Sequence, residues 1–577
     1  MSETTTLPKK GRRKDDVHKF TKVENNKQIC SIDGCNKMYA SGTSTTVIKN
    51  HIISVHGPSI EVKDKAPISC VYSEKNTQRN FLYYLALAFA TNSLPYRLVE
   101  DPYFQAAFQH FDTNQKLSRY LLREKIFSIA ENIKEDIVQK LSDEAVPVTI
   151  AIDGWTNVRT NKVLNMLLIS AGKPYFFASI ENFSEKSDSK WIVSKVEEKI
   201  QYLKKNNIII VALTTDNAPV MKLSSKRLSE SYPYILDIPC AAHIMQLCLK
   251  HISDLNVVNR VVTIVKLINA SVKGFSEKRH KLQKLQEMDS VVPIELLDYT
   301  VTRWSSLLDC IERQLKLSQY LTLVLKDEIA EIPWKDIEKL YNYLLPFKVA
   351  TNKIQEDNAS LYTVSKSLSC LHQTFENDAD VFEIKDVVLN IISKYWGKYL
   401  DMTLLYTSNL FNFDFSDALT EQELNKIICF LQKWGSKYIE MHGLTKLHDK
   451  LNLDEQIEIQ FKEFYSNIEQ FQHLRIKVKK YKTLCINTIR RFKPEYIWVD
   501  YKYSHPELYH IAKGILSVCP TEACVERSFS AQDDIHTQDR NRLDDSQIEA
   551  EMMIKMNISD FFKFLQRCPK ESKKRKI

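Results

Sequence analysis

Glycine is scarce. Only 11 of the 577 residues are glycine, about 2% against a usual share of roughly 7%, which excludes collagenous, glycine-repeat and Gly/Ser-linker chains. No G-x-x-x-x-G-K-[ST] and no G-x-G-x-x-G stretch occurs, so the loops that cradle nucleotide phosphates with backbone amides are missing. Long apolar runs are lacking too. The longest, Phe81 to Ala90, is about half of a membrane span, and no apolar stretch follows a basic start as a secretory signal would; no membrane partner is expected. The twelve cysteines are scattered, the usage of a reducing compartment and not of a disulfide framework.

What is present is the balance of a soluble globular protein: 44% hydrophobic and 26% charged residues. The length calls for three or four structural units. The net charge of +8 is unevenly placed. Residues 9–22 carry seven basic and two acidic side chains, and residues 563–577 seven and one. The rest of the chain is therefore slightly acidic, and the basic ends suit nuclear import and nonspecific attraction to phosphate.

The texture changes along the chain. Residues 1–24 are polar and basic and read as disordered; 25–60 hold a Cys/His cluster; 75–145 show helical spacing. Strand candidates follow at Val146–Ile152, Val163–Ser170 and Tyr175–Ile180, then a helix over Trp191–Lys204, a strand over Ile208–Leu213, a helix over Ala241–Ile252 and a short strand over Leu297–Thr302. That succession is the order of an RNase H-like sheet. Residues 306–500 are helical almost throughout, and 501–560 resume with helices at Glu507–Leu516, Glu522–Ser530 and Gln547–Met556 before a basic tail at 561–577. The expected fold class is α+β, multidomain and mostly helical. An RNase H-like mixed sheet, begun over 146–305 and completed over 501–560, is interrupted by a large all-α insertion domain, with a small zinc finger at the N-terminus.

Three constellations carry chemistry. Cys30-x4-Cys35-x15-His51-x4-His56 offers two thiolates on a short knuckle and two imidazoles about one helical turn apart, enough to close a tetrahedral Zn²⁺ site. Lys22, Lys37 and Lys49 beside it favour a finger that faces DNA. Asp153 and Asp216 each close a buried strand. On neighbouring strands they would repel one another when empty and suit Mg²⁺ or Mn²⁺ when filled, with a third acid completing a two-metal phosphoryl-transfer site; Glu522, Glu526 and Asp533 are the candidates. Trp155 and Arg303-Trp304 place aromatic faces near those acids, where they could stack on an unpaired base, although tryptophan is more often a core residue. Cys240-x-x-His243 has no second pair, so a structural or backbone-orienting role suits it better than metal binding.

Taken together, these motifs resemble the hAT superfamily of DNA transposases with an N-terminal BED-type zinc finger. Cys35-Asn36-Lys37-Met38-Tyr39 with Gly42-Thr43-Ser44 and His51…His56 looks like a BED finger, although the family usually has Cys-x2-Cys and an upstream tryptophan. Leu94-Pro95-Tyr96 resembles the helical DNA-binding and dimerisation segment that precedes the catalytic domain. Asp153-Gly154-Trp155-Thr156 and Thr215-Asp216-Asn217-Ala218 are similar to the first and second Asp motifs, Cys240-Ala241-Ala242-His243 to the Cys/His motif, Thr302-Arg303-Trp304 to the Arg-Trp motif, and Leu345-Pro346-Phe347 with Thr351 to the insertion signature. Most specific are Cys524-Val525-Glu526-Arg527-Ser528-Phe529-Ser530 and Arg540-Asn541-Arg542-Leu543, which look like the C-terminal dimerisation region that carries the third acid.

The resemblance implies a nuclear, homodimeric or larger enzyme that binds double-stranded DNA at terminal inverted repeats. Asp153, Asp216 and Glu526 would bind Mg²⁺ or Mn²⁺. DNA would be excised with hairpins left on the flanks, and the 3′ ends joined to a target. Trp155, Arg303, Trp304 and His243 would contact DNA, and Cys30, Cys35, His51 and His56 would hold Zn²⁺. The rival from a different class is a domesticated BED/hAT protein that binds DNA in transcriptional regulation or a programmed rearrangement.

Overall fold

The computed structural model describes residues 21–24, 27–30, 35, 38–39, 77–102, 104–105, 118–182, 188–299, 304–329, 331–377, 383–414, 419–444, 452–470, 494–540 and 542–565. The chain forms two units, Met1–Phe81 and Leu82–Ile577.

In the first unit β1 (Thr21–Glu24), β2 (Lys27–Cys30) and β3 (Met38–Tyr39) form an antiparallel sheet. Residues 21–24, expected to be disordered, are thus a paired strand: Val23 alternates with polar neighbours, and Glu24 pairs with Lys27 across the ladder. His51 and His56 lie outside the described residues, as does the basic start.

The second unit begins within α1 (Thr77–Thr91), which takes up the long apolar run and buries Leu85, Ala86, Leu87, Phe89 and Ala90. After α2 (Arg119–Glu144) comes a five-stranded mixed sheet: β4 (Val148–Thr156), β5 (Lys162–Ser170), β6 (Lys173–Asn182), β7 (Ile210–Thr215) and β8 (Leu236–Pro239). The spatial order is β6-β5-β4-β7-β8. β4, β5 and β6 form an antiparallel meander, while β7 and β8 run parallel to β4. The parallel strands are joined through α3 (Ser189–Lys205) and α4 (Pro219–Ser231), as parallel pairing requires. Val163 to Ser170 and Ile210 to Thr215 are buried residue after residue, which is why they read as near-continuous apolar runs instead of alternating ones. Between β5 and β6, Ala171 (φ 49°) and Gly172 (φ 73°) make a two-residue turn, whose left-handed backbone matches the twist of the strands. A Cβ on Gly172 would also meet Asn358 Cα at 2.9 Å, so here the scarce glycine is required.

The fifth strand is Leu236–Pro239, not Leu297–Thr302. Residues 291–299 have no regular structure. Four residues ending in proline give little sequence signal, yet an edge strand can end there because proline needs no ladder partner on its open side.

Among the described residues beyond β8 there is no strand. The helices are α5 (Ala241–Ser253), α6 (Asn256–Lys273), α7 (Ser276–Met288), α8 (Trp304–Lys316), α9 (Ser318–Leu325), α10 (Trp334–Ile354), α11 (Leu361–Asn377), α12 (Lys385–Tyr399), α13 (Met402–Phe411), α14 (Glu421–Phe430), α15 (Ser436–His442), α16 (Leu453–Gln470), α17 (Glu495–Trp498), α18 (Pro506–Leu516), α19 (Ala523–Ile535) and α20 (Asp545–Leu565). The block from α8 to α17 is locked to the sheet through backbone carbonyls. Trp434 Nε1 donates to Tyr234 O at 3.0 Å, and His442 Nε2 to Ile210 O at 3.1 Å. No single described helix is long and apolar enough to cross a membrane.

Candidate active site

The two aspartates meet because of strand register. β4 and β7 pair in parallel only as far as Ala151 opposite Thr214. Asp153 and Asp216 each stand two residues beyond that last pair, so their side chains emerge at equivalent heights where the strands part. β4 itself continues, paired with β5, to Thr156. Asp153 is therefore not the end of its strand but the point at which it loses one neighbour.

A third strip of chain is brought to the same place from 300 residues further on. Thr149 and Thr214, both buried, hold it: Thr149 Oγ1 accepts from Cys519 N at 3.0 Å, and Thr214 Oγ1 donates to Cys519 O at 2.6 Å. Ala241 N donates to Pro520 O at 2.9 Å. α19 then starts after Glu522 and docks on β5, where Asn165 Nδ2 donates to Ser528 Oγ at 2.9 Å and to Gln532 Oε1 at 3.0 Å. Polar residues inside otherwise apolar strands were the available signal for this clamp, since a buried hydroxyl or amide implies a partner.

Four carboxylates result. Burial first, then Asp216 and Glu526, push the Asp153 carboxyl up to about 7, against the Gly154 amide that donates to its Oδ1 at 2.7 Å. Asp216 is raised by burial, opposed by the Ala218 amide at 3.1 Å and by His243. Glu522, 2% exposed, is raised by burial and by Asp153, Asp216 and Glu526. Its Oε2 has no hydrogen-bond partner. A cluster of one sign, partly desolvated and with an orphaned oxygen, would be stabilised by a cation, and hard oxygen donors suit Mg²⁺ or Mn²⁺. Among the described residues no three His, Cys, Asp or Glu side chains are drawn around a single point. Asp533 stands apart, exposed, its carboxyl raised by burial and Asp534 alone.

The remaining expected contacts divide. Trp155 is half-buried and stacked on Phe529, ring centroids 5.3 Å apart at 21°; one face is already covered, by a residue of the third-acid motif itself. His243, on the first turn of α5, faces Asp216. Cys240 is a buried helix cap whose amide donates to Thr215 O at 2.8 Å, a backbone-orienting role. Trp304 is the first residue of α8, and Arg303 lies outside the described residues. In the N-terminal unit, Cys30 and Cys35 both act on the Tyr39 hydroxyl, adding to burial in raising it, so the two thiols share one neighbourhood.

Comparison with known proteins matches residues 470–558 to the hAT family C-terminal dimerisation region, and residues 112–268 to a domain of unknown function, DUF659. None of the curated proteins matches the sequence. Among solved structures, the chain is similar to the Drosophila P element transposase strand transfer complex at 10% identity and a TM-score of 0.26, over 88% of this chain and 94% of that one. The matched C-terminal region contains α18, α19 and much of α20, including Glu526 and the clamp on β4 and β7, so this part of the chain is similar to the hAT family C-terminal dimerisation region.

Proposed function

We propose that this chain is a DNA transposase of the DDE type, cutting DNA at the acids Asp153, Asp216 and Glu526 and joining the freed 3′ ends to target DNA. The observation that carries this reading is that Asp153 and Asp216 stand level where β4 and β7 part, with Glu526 near enough to raise the Asp153 carboxyl. The strand order β6-β5-β4-β7-β8 supports an RNase H-like core with α8 to α17 inserted in it.

When bound, divalent ions would activate the attacking oxygen and stabilise charge on the phosphate. The chain's own residues prepare that site. The Gly154 and Ala218 amides fix one oxygen of each aspartate, which limits how far the carboxylates can turn. Burial keeps the carboxylates poorly hydrated and hence eager for a cation. Stacking on Phe529 holds Trp155 rigid beside them. Terminal-repeat binding, hairpins on the flanking DNA, assembly as a homodimer or larger, nuclear localisation, and a Zn²⁺ finger built on Cys30, Cys35, His51 and His56 belong to the same proposal.

The test is cleavage of the element's terminal inverted repeats in Mg²⁺ or Mn²⁺. Asp153→Asn, Asp216→Asn and Glu526→Gln should each reduce cleavage more than about 100-fold, beyond the loss typical of outer-shell changes at metal sites, while duplex binding persists. A wild-type chain that binds such DNA and never nicks it would instead be a DNA-binding regulator.

A further inference from the structure

β5 is apolar from Val163 to Ile169 except at Asn165. In the antiparallel ladder Asn165 stands directly opposite Asp153, so the two side chains share one face of the sheet with Cβ atoms about 5 Å apart. α19 lies on that face. Asn165 directs both hydrogens of its amide to it, at 2.9 Å to Ser528 Oγ and 3.0 Å to Gln532 Oε1. Ser528 in turn donates to Val525 O at 2.6 Å. Asn165 and Ser528 are fully buried, and Gln532 nearly so.

As a source of stability this network is poor. Asn165 Oδ1 has no hydrogen-bond partner among the described residues, and three apolar side chains of similar shape would leave no acceptor unmet. What the network adds is direction. Apolar burial alone is non-directional and favours no single roll of a helix. Two hydrogen bonds from one amide to residues one turn apart fix both roll and height. The neighbouring face of α19 carries Glu526 and Phe529, three residues apart. Phe529 lies on Trp155, two residues beyond Asp153 on β4. A roll of about 20° would carry a side-chain end roughly 2 Å at the radius of a helix, and a misplacement of about 1 Å can slow a reaction about 100-fold.

We propose that Asn165 is a positioning residue for cleavage: through Ser528 and Gln532 it sets the roll of α19, and with it the place of Glu526 against Asp153. This rests on the DNA-cleavage reading and adds a residue outside every motif that carries the acids. An amide suits the task because it donates twice without bringing another negative charge to the cluster. A carboxylate at this position would add to the repulsion, and a hydroxyl has a single hydrogen to give.

The test compares the full-length wild type with Asn165→Leu/Ser528→Ala/Gln532→Met, which removes the whole network and strands no polar partner. Four quantities are measured: the thermal melt, affinity for a terminal-repeat duplex, Mn²⁺ binding by electron paramagnetic resonance without DNA, and the cleavage rate. The triple variant should melt within a few degrees of the wild type and bind the duplex within about twofold. Its Mn²⁺ affinity should fall about tenfold and its cleavage rate about 100-fold, the span typical of outer-shell changes at metal sites. Should the triple variant fail to fold, Ser528→Ala alone carries the test, with a loss of about tenfold in cleavage at an unchanged melt. A folded variant that binds Mn²⁺ and cuts as the wild type does overturns the inference and leaves the cleavage reading standing. Losses that follow the melt and vanish on cooling overturn it as well, since they mark a packing role. A wild type that binds the duplex and never cuts overturns the cleavage reading, and this inference with it.

Discussion

Burial sets the protonation of single side chains in this protein, and His442 shows the consequence outside the acid cluster. Its pKa is pushed down to about 4, chiefly by burial, with the Ile210 carbonyl opposing and Lys204 reinforcing. In the unfolded chain the same imidazole takes a proton near pH 6.5. Between those values the unfolded state binds a proton that the folded state refuses, so stability falls as pH drops from about 6.5 to about 4. Relative to His442→Gln, which can still donate to Ile210 O, the wild type should match at pH 7 and lose at most about 3 kcal/mol by pH 4. Urea melts of the two chains across this range measure the difference, and parallel curves would refute a buried neutral imidazole.

At the scale of elements, segments that resemble separate motifs turn out to be one joint. Tyr96, in the Leu-Pro-Tyr turn, donates to Glu551 Oε1 at 2.5 Å, and Arg540 Nη2 reaches both Glu551 oxygens at 2.8 and 3.1 Å. Glu551 on α20 is fully buried; burial raises its carboxyl while Arg540 and Tyr96 lower it. Breaking one side of a buried pair strands the other charge, so Glu551→Ala should cost roughly 3–5 kcal/mol. Replacing both, as Glu551→Met with Arg540→Leu, should cost clearly less. A double variant as unstable as the single one in urea melts would mean that the loss comes from packing and not from a stranded guanidinium. The same helix protects the open edge of β6: Asn557 Nδ2 donates to Phe176 O at 2.9 Å, and its Oδ1 accepts from Phe176 N at 3.0 Å. An unpaired strand edge is otherwise a site for association.

For the whole molecule, the C-terminal region matched as a dimerisation element is also part of the core. Met552, Met553 and Ile554 on α20 are buried, α20 lies on α2 and β6, and α19 carries Glu526. Truncation after Asp544 should therefore expose the β6 edge and unfold the sheet, seen as aggregation and loss of the cooperative melt, and not simply release folded monomers. A soluble, cooperatively melting monomer from that truncation would show the two roles to be separable.

Much of this was legible in the residues themselves. Short apolar runs announced β4, β5 and β7, apolar spacing announced the helices, and the missing glycine loops pointed away from amide cradles for phosphate. These are local signals, each decided by a few neighbouring side chains. The fifth strand was not legible, because four residues ending in proline carry almost no periodicity; nor was the strand at Thr21–Glu24, whose pairing rather than composition orders it. Tertiary structure alone decided that Asp153 and Asp216 stand level, since parallel register is set by the sheet. It alone brought Glu522 into the acid cluster, laid Phe529 on Trp155, and docked α19 on Asn165. Each of these depends on chain segments one to several hundred residues apart, and a sequence records such contacts only as isolated polar or aromatic residues whose partners become visible once the chain is packed.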